Sequence, residues 1–337
     1  MKKVLSIILI LGILFASVAC AGSPAEPAQA NGTAQAPTSQ PGETDEPFLI
    51  GVAINLTNEF GMSLERWYRH YEAQDDSFDL VIAITAESQA QQIAAVEAMI
   101  AQGVQAIIMR YVDETAAATM LNMIYDHGIY LIIDESLPLG DPSYHVWTKS
   151  ENITHGENIG RYLQSYMAAN PDRQLQMGYV IGGVSPGAMA RFDGIWNIIS
   201  EDDIPVLDFQ VADGWNALEA AAIAEAWLTA YPEMNVIVSA NDDMAVAIIE
   251  VLIAAGRMDD FMVFGVDGDV NGLEYLRRGL LTATSAQDTS VSSRLNLDLA
   301  LKLLRGETIV FDNEEERSID SRMITLVTLN NVDEFTS

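Results

Sequence analysis

The chain has 337 residues, 49% apolar and 8% aromatic, too apolar for wholesale disorder and too long for one core, so two domains are expected. Its 48 acidic and 17 basic residues give a formal charge of −31, a field that repels phosphate backbones and argues against nucleic acid as a partner. The single cysteine, Cys20, excludes any disulfide within the fold.

The chain opens as a secretory signal: Lys2 and Lys3, an apolar stretch from Val4 to Val18, then Ala19 and Cys20. At about 15 residues that stretch falls short of the roughly 20 needed to span a bilayer. A unique cysteine at the cut resembles the lipobox of bacterial lipoproteins, with Ser17 standing where Leu is usual, and the resemblance implies a signal peptide over 1–20 and a lipid-carrying Cys20. Residues 21–47 are rich in Ala, Pro, Gly, Ser and Thr and read as a disordered tether.

From Phe48 onward, apolar β-branched runs alternate with helical patterns. Strands are predicted at 48–55, 78–85, 106–110, 129–134 and 144–148, with helices near 61–75, 88–102 and 114–127. Gly103 is placed to end the second helix. The rhythm then restarts, with helices near 155–169, 188–200, 216–230, 242–256 and 270–278 and strands at 177–183, 206–211, 235–240, 262–266 and 282–287. A long helix at 288–305 and an apolar stretch at 322–329 close the chain. Continuous apolar runs between helices mark parallel strands covered on both faces. Two such series, breaking near residue 149, predict two α/β lobes with a cleft between them.

Most of these runs stop abruptly in hydrogen-bonding residues, and ligands of open α/β sheets bind beyond the carboxyl ends of the strands. The positions are Asn55, Asn58 and Phe60 after the first strand, Asp134 and Glu135 after "YLII", and Arg191 in the helix after "YVIGG". Trp215, Asn241 with Asp242, Asp267 and Gln287 follow later strands. Amides, carboxylates, a guanidinium and aromatic rings suit a sugar: carboxylates accept from hydroxyls, Arg and Asn donate, and a ring covers the C–H face. Local roles are open beside these. Asn241 and Asp242 stand where such residues cap a helix, Asp267 lies in a DGD turn, Arg191 has acids to pair with, and Phe60 and Trp215 fit a lobe core. No nucleophile elbow occurs, and the four histidines lack metal-ligand spacing. The expectation is a binding protein rather than an enzyme, with no cofactor and no metal.

Residues 48–330 resemble the periplasmic sugar-binding proteins of the ribose and galactose/glucose type, the receptors of ABC importers. The likeness rests on "IGVAINLTNEF", "QQIAAVEAMIAQGVQAIIM", "SEN" at 150–152, "AR" at 190–191, "ANDDMA" at 240–245, "FGVDG" at 264–268 and "GLLTATSAQD" at 279–288. It implies the type I fold, two Rossmann-like lobes joined by three hinge crossings. The N-lobe would take 48–148 plus 288–318, and the C-lobe 149–287 plus 319–337. Carried over, Asn58, Phe60, Asp134, Arg191, Trp215, Asn241, Asp267 and Gln287 fall on ligand-contacting positions. Three positions depart from the ribose pattern: Glu135 where Arg is usual, Glu59 where Pro is usual, and Gly61 where a second aromatic is usual. "ANPDRQLQMG" at 169–178 lacks the alternating oxygen ligands of the galactose/glucose calcium loop. The implied protein is an extracytoplasmic lipoprotein, monomeric and membrane-anchored, that hands a monosaccharide or similar polyol to an ABC permease. The alternative is a sensor that presents its bound ligand to a membrane kinase or chemoreceptor.

Overall fold

The computed structural model describes residues 46–335 except 87, 113–115, 136, 138–141 and 322–323. The expected signal peptide, Cys20 and the tether up to residue 45 lie outside the described residues. Each lobe is a six-stranded sheet with helices on both faces. The first sheet is built from β1 (Phe48–Ile54), β2 (Phe78–Ile84), β3 (Ala106–Met109), β4 (Tyr130–Glu135), β5 (Val146–Lys149) and β11 (Ser318–Asp320), in the order β2-β1-β3-β4-β5-β11. The second contains β6 (Met177–Ile181), β7 (Val206–Val211), β8 (Val236–Ser239), β9 (Met262–Asp267), β10 (Ala283–Gln287) and β12 (Ile324–Thr328), ordered β7-β6-β8-β9-β10-β12. Pairing is parallel except between β10 and β12.

The continuous apolar runs follow from burial on both faces. In β3, Ala106 and Ile108 enter one core while Ile107 and Met109 enter the other. The first core is closed by α1 (Glu59–Glu72) and α9 (Thr289–Arg305) through Leu64, Tyr68 and Leu297; the second by α2 (Gln89–Gln102) and α3 (Ala117–Asp126) through Val96, Met99 and Leu121. Side chains alternate along a strand, so every residue of a doubly covered strand must be apolar. Each fully buried Ile, Leu or Met contributes about 1.5–3 kcal/mol. The second lobe has α4 (Asn152–Ala169), α5 (Pro186–Trp196), α6 (Ala217–Ala230), α7 (Asp242–Ala254) and α8 (Val270–Arg277) around its sheet.

The chain passes between lobes three times: after β5, between β10 and α9, and between β11 and β12. β11 was not expected. Ser-Ile-Asp offers no apolar run, and the strand exists because it pairs with Trp147–Lys149. The fifth strand was expected at 144–148 and lies at Val146–Lys149; α1 starts at Glu59, not 61, because Asn58 caps it.

Candidate ligand-binding site

Between the carboxyl edges of the two sheets lies a cavity of about 270 Å³, lined from both lobes. Seven of the eight residues singled out in the sequence line it: Asn58, Phe60 and Asp134 from the first lobe, and Arg191, Trp215, Asn241 and Asp267 from the second. The eighth, Gln287, does not. It lines a separate cavity of about 180 Å³ behind Phe60, between α1, the 267–269 turn and the 287–290 crossing.

The first lobe's half is organised by a residue not singled out in the sequence, Arg110, which directly follows β3. Its Nη1 donates to Asp134 Oδ2 at 3.0 Å, its Nη2 pairs with Glu135, and its guanidinium sits 5.0 Å from the centre of the Phe60 ring. Asp134 also accepts from Asn296 Nδ2 at 3.2 Å. The Thr148 hydroxyl stands 3.4 Å from Asp134 but 2.8 Å from Asn296 Oδ1, and with one proton to give it serves the nearer acceptor. Asn58 accepts from the Gly61 backbone at 3.1 Å as the cap of α1, so its NH2 is what it chiefly has to offer a ligand. Asn55 donates to the Tyr111 carbonyl at 2.9 Å, leaving its buried Oδ1 without a partner among the described residues.

The second lobe repeats the motif. Arg191 lies 5.3 Å from the Trp215 ring centre, as Arg110 lies over Phe60. Its Nε donates to Asn152 Oδ1 at 2.9 Å and its Nη1 to the Ala240 carbonyl at 2.6 Å. It reaches Asp267 at 3.7 Å and, across the cleft, Glu135 at 3.8 Å. Arg191 and Asn152 can meet because α5 and α4 touch backbone to backbone. A Cβ on Gly156 would lie 2.1 Å from the Arg191 carbonyl oxygen, and one on Gly194 2.1 Å from that of Ile153. Trp215 is seated the same way, since a Cβ on Gly182 would fall 2.1 Å from its Cδ2.

Asn241 plays both parts open to it. Its Oδ1 caps α7 by accepting from Met244 at 2.9 Å, while its buried Nδ2 has no partner among the described residues. Asp242 is neither cap nor ligand contact. Fully buried, it accepts from the backbones of Gly268 at 2.8 Å and Asp269 at 3.1 Å, and so fixes the turn that follows Asp267. Burial, then the nearby Asp269 and Asp267, push the Asp242 carboxyl well above the carboxylate range. Asp267 is pushed up to about 7 by burial; Arg191 pulls it back, and Asp269 and Asp243 push it further. Glu135, Trp215 and Asp267 all hold a left-handed backbone, with φ of 77°, 59° and 110°. Such strain costs about 1–3 kcal/mol per residue and persists where a site demands the geometry.

The arrangement places two aromatic-backed guanidiniums, three buried carboxylates with Asp213 beside them, and several amides around a small cavity between the lobes. Its chemistry is dense hydrogen bonding to a compact polar molecule touched from both sides. Among the described residues no three His, Cys, Asp or Glu side chains group to hold a metal, and no helix is long and apolar enough to cross a membrane. Arg110 was within reach of the sequence: it ends the run "AIIMR" and obeys the same strand-end pattern, but was read as part of the strand.

A family model described as a periplasmic binding protein domain matches residues 55–308. The ribose import binding protein of Bacillus subtilis is 27% identical over 316 residues, covering 92% of this chain and 95% of that protein. The D-ribose/D-allose-binding protein of Pseudomonas aeruginosa is 27% identical over 281 residues, 78% of this chain and 84% of its own. A solute-binding protein of an ABC transporter from Bacillus halodurans, solved with bound myo-inositol, superimposes with a TM-score of 0.75 at 27% identity, covering 86% of this chain and 98% of that one. The fructose-binding periplasmic domain of a hybrid two-component system shares the fold at 21% identity, with a TM-score of 0.74 over 85% of this chain and 92% of that one.

Proposed function

The chain belongs to the periplasmic binding protein domain family, and from that premise we propose that it captures a monosaccharide or related polyol between its lobes and delivers it to an ABC permease. One observation carries the reading: guanidinium–carboxylate pairs backed by aromatic rings face each other across one small cavity. A polyol hydroxyl donates one proton and accepts twice, so carboxylates and guanidiniums lining one cavity can both find partners on a ring of hydroxyls. A mismatch in such a site costs about 1–3 kcal/mol per group, which makes it selective. Relatives named for ribose and allose binding, and a structural neighbour solved with bound myo-inositol, support the ligand class. The lipid anchor at Cys20 and the release to a permease rest on the sequence and the family. A sensor role is the second reading, favoured by the shared fold of the two-component fructose-binding domain.

Calorimetry with a panel of pentoses, hexoses and inositols, each beside its amino counterpart, tests the proposal. Binding of at least one panel member at a one-to-one ratio is expected, and Asp267→Ala and Trp215→Ala should each weaken it tenfold or more. A panel without a binder, or unchanged affinity in both variants, contradicts it.

A further inference from the structure

The cleft is short of positive charge. Arg110, Asp134 and Glu135 enter it from the first lobe, Arg191 and Asp267 from the second, and none of these side chains is more than 16% exposed. Two guanidiniums therefore face three buried carboxylates, the exposed Asp213 adds a fourth to the lining, and no Lys or His lines the cavity among the described residues.

The two cations are unevenly shared. Arg110 is taken up by Asp134 and Glu135. Arg191 spends its close hydrogen bonds on the Asn152 amide and the Ala240 carbonyl, and comes no nearer to a carboxylate than 3.7 Å. Asp267 consequently accepts no hydrogen bond from a described residue, although it is only 7% exposed. A buried carboxylate in that position must gain a donor, a proton or a cation. The raised carboxyl of Asp267 shows the same deficit, since Arg191 beside it does not offset its burial.

No compensation comes from next door. The cavity behind Phe60 is lined by Asp267, Asp269, Asp288 and Glu334, with no Lys, Arg or His among its described lining. Asp243 and Glu59 add to the field at Asp269. A neutral polyol entering the cleft leaves this imbalance in place or obliges Asp267 to carry a proton.

We infer that the molecule held in this cleft is an amino-substituted polyol, its ammonium lying against Asp267 and its hydroxyls taking the guanidinium–carboxylate pairs. The inference rests on the polyol reading above and narrows it. An ammonium brings three donors and a close positive charge to the buried cleft carboxylate that accepts no hydrogen bond from a described residue and has its nearest guanidinium 3.7 Å away. Glu135 tips the buried balance: without its charge two guanidiniums would face two buried carboxylates.

The test is the ratio of affinities within matched pairs, titrated calorimetrically into the whole chain at a pH where the amine is charged: D-glucosamine against D-glucose, D-galactosamine against D-galactose, and an aminodeoxy-inositol against myo-inositol. In the pair that binds, the amino member should bind at least tenfold tighter. Glu135→Gln should bring that ratio close to one, and Asp267→Asn should do the same; a general loss of site geometry would lower both affinities without closing the gap between them. Should either variant fold poorly, the heats of the wild-type chain in buffers of different ionisation enthalpy supply the same distinction, with proton uptake expected for the neutral member and none for the amino member. Equal or tighter binding of the neutral member, or a ratio that survives both variants, overturns the inference and leaves the polyol reading standing. Failure of every pair and every other panel sugar overturns both.

Discussion

Asp267 shows how one residue is shaped by burial, charge and backbone together. It ends β9 in a left-handed conformation, in a turn fixed by Asp242, and its carboxyl is pushed to about 7, as is that of Asp269 beside it. Both folded values lie above those of an unfolded chain, so between about pH 4 and 7 the folded state holds more protons than the unfolded one. These two carboxyls therefore lend stability at low pH that is lost as pH rises through about 7. The melting temperature should climb by several degrees between about pH 8 and pH 5.5, before the remaining carboxylates protonate. Asp269→Asn keeps the α8 cap, which accepts from Gly272 at 2.7 Å, but removes a titrating group. It should melt higher than the parent at pH 8 and depend less on pH; a variant whose melting curve tracks the parent across the range would contradict this. At this scale the sequence was informative about residue type but not about how each side chain divides its bonds. Asn241 serves as both cap and cavity amide, and nothing in "ANDDMA" distinguishes Asp242, which braces the turn, from Asn241, which faces the cavity.

At the scale of elements, the first turns of α1 and α7 meet across the cleft. The Glu59 backbone N–H donates to Asp243 Oδ2 at 3.2 Å, and Asn271 at the start of α8 donates to Oδ1 at 3.3 Å. Asp243 does not line the cavity between the lobes, so this contact bridges the lobes without touching what the cavity is proposed to hold. Removing it should weaken binding by making closure less favourable. Asp243→Ala is expected to cost about three- to tenfold in affinity, in keeping with a partly exposed hydrogen bond to a charged group. Calorimetry on that variant settles the point, and an unaltered dissociation constant would count against the contact. Continuous apolar strands such as β3 and β9 were plain in the sequence because burial on both faces forbids polar interruptions. β11 was hidden because edge pairing, rather than composition, makes it a strand, and its central Ile319 stands alone between Ser318 and Asp320.

Across the whole molecule, the two lobes face each other with complementary halves of one site: Arg110 over Phe60 opposite Arg191 over Trp215, with Glu135 between the guanidiniums. The existence of two lobes and the sheet edge that carries the polar residues could be read from the order of strands and helices. Which residues confront each other could not, because that depends on how the three crossings bring the lobes together. Gln287 illustrates the limit: it ends a strand like Asp267, yet its position on the crossing turns it toward the cavity behind Phe60. Ligand is proposed to draw the two lobes into one closed state. Met62 on α1 and Leu218 on α6, 48% and 81% exposed, allow this to be measured with paired spin labels on a Met62→Cys, Leu218→Cys chain carrying Cys20→Ser. Saturation with a ligand identified by calorimetry should shorten and narrow the distance distribution between the labels; a distribution that stays unmoved while that ligand is bound would contradict the account.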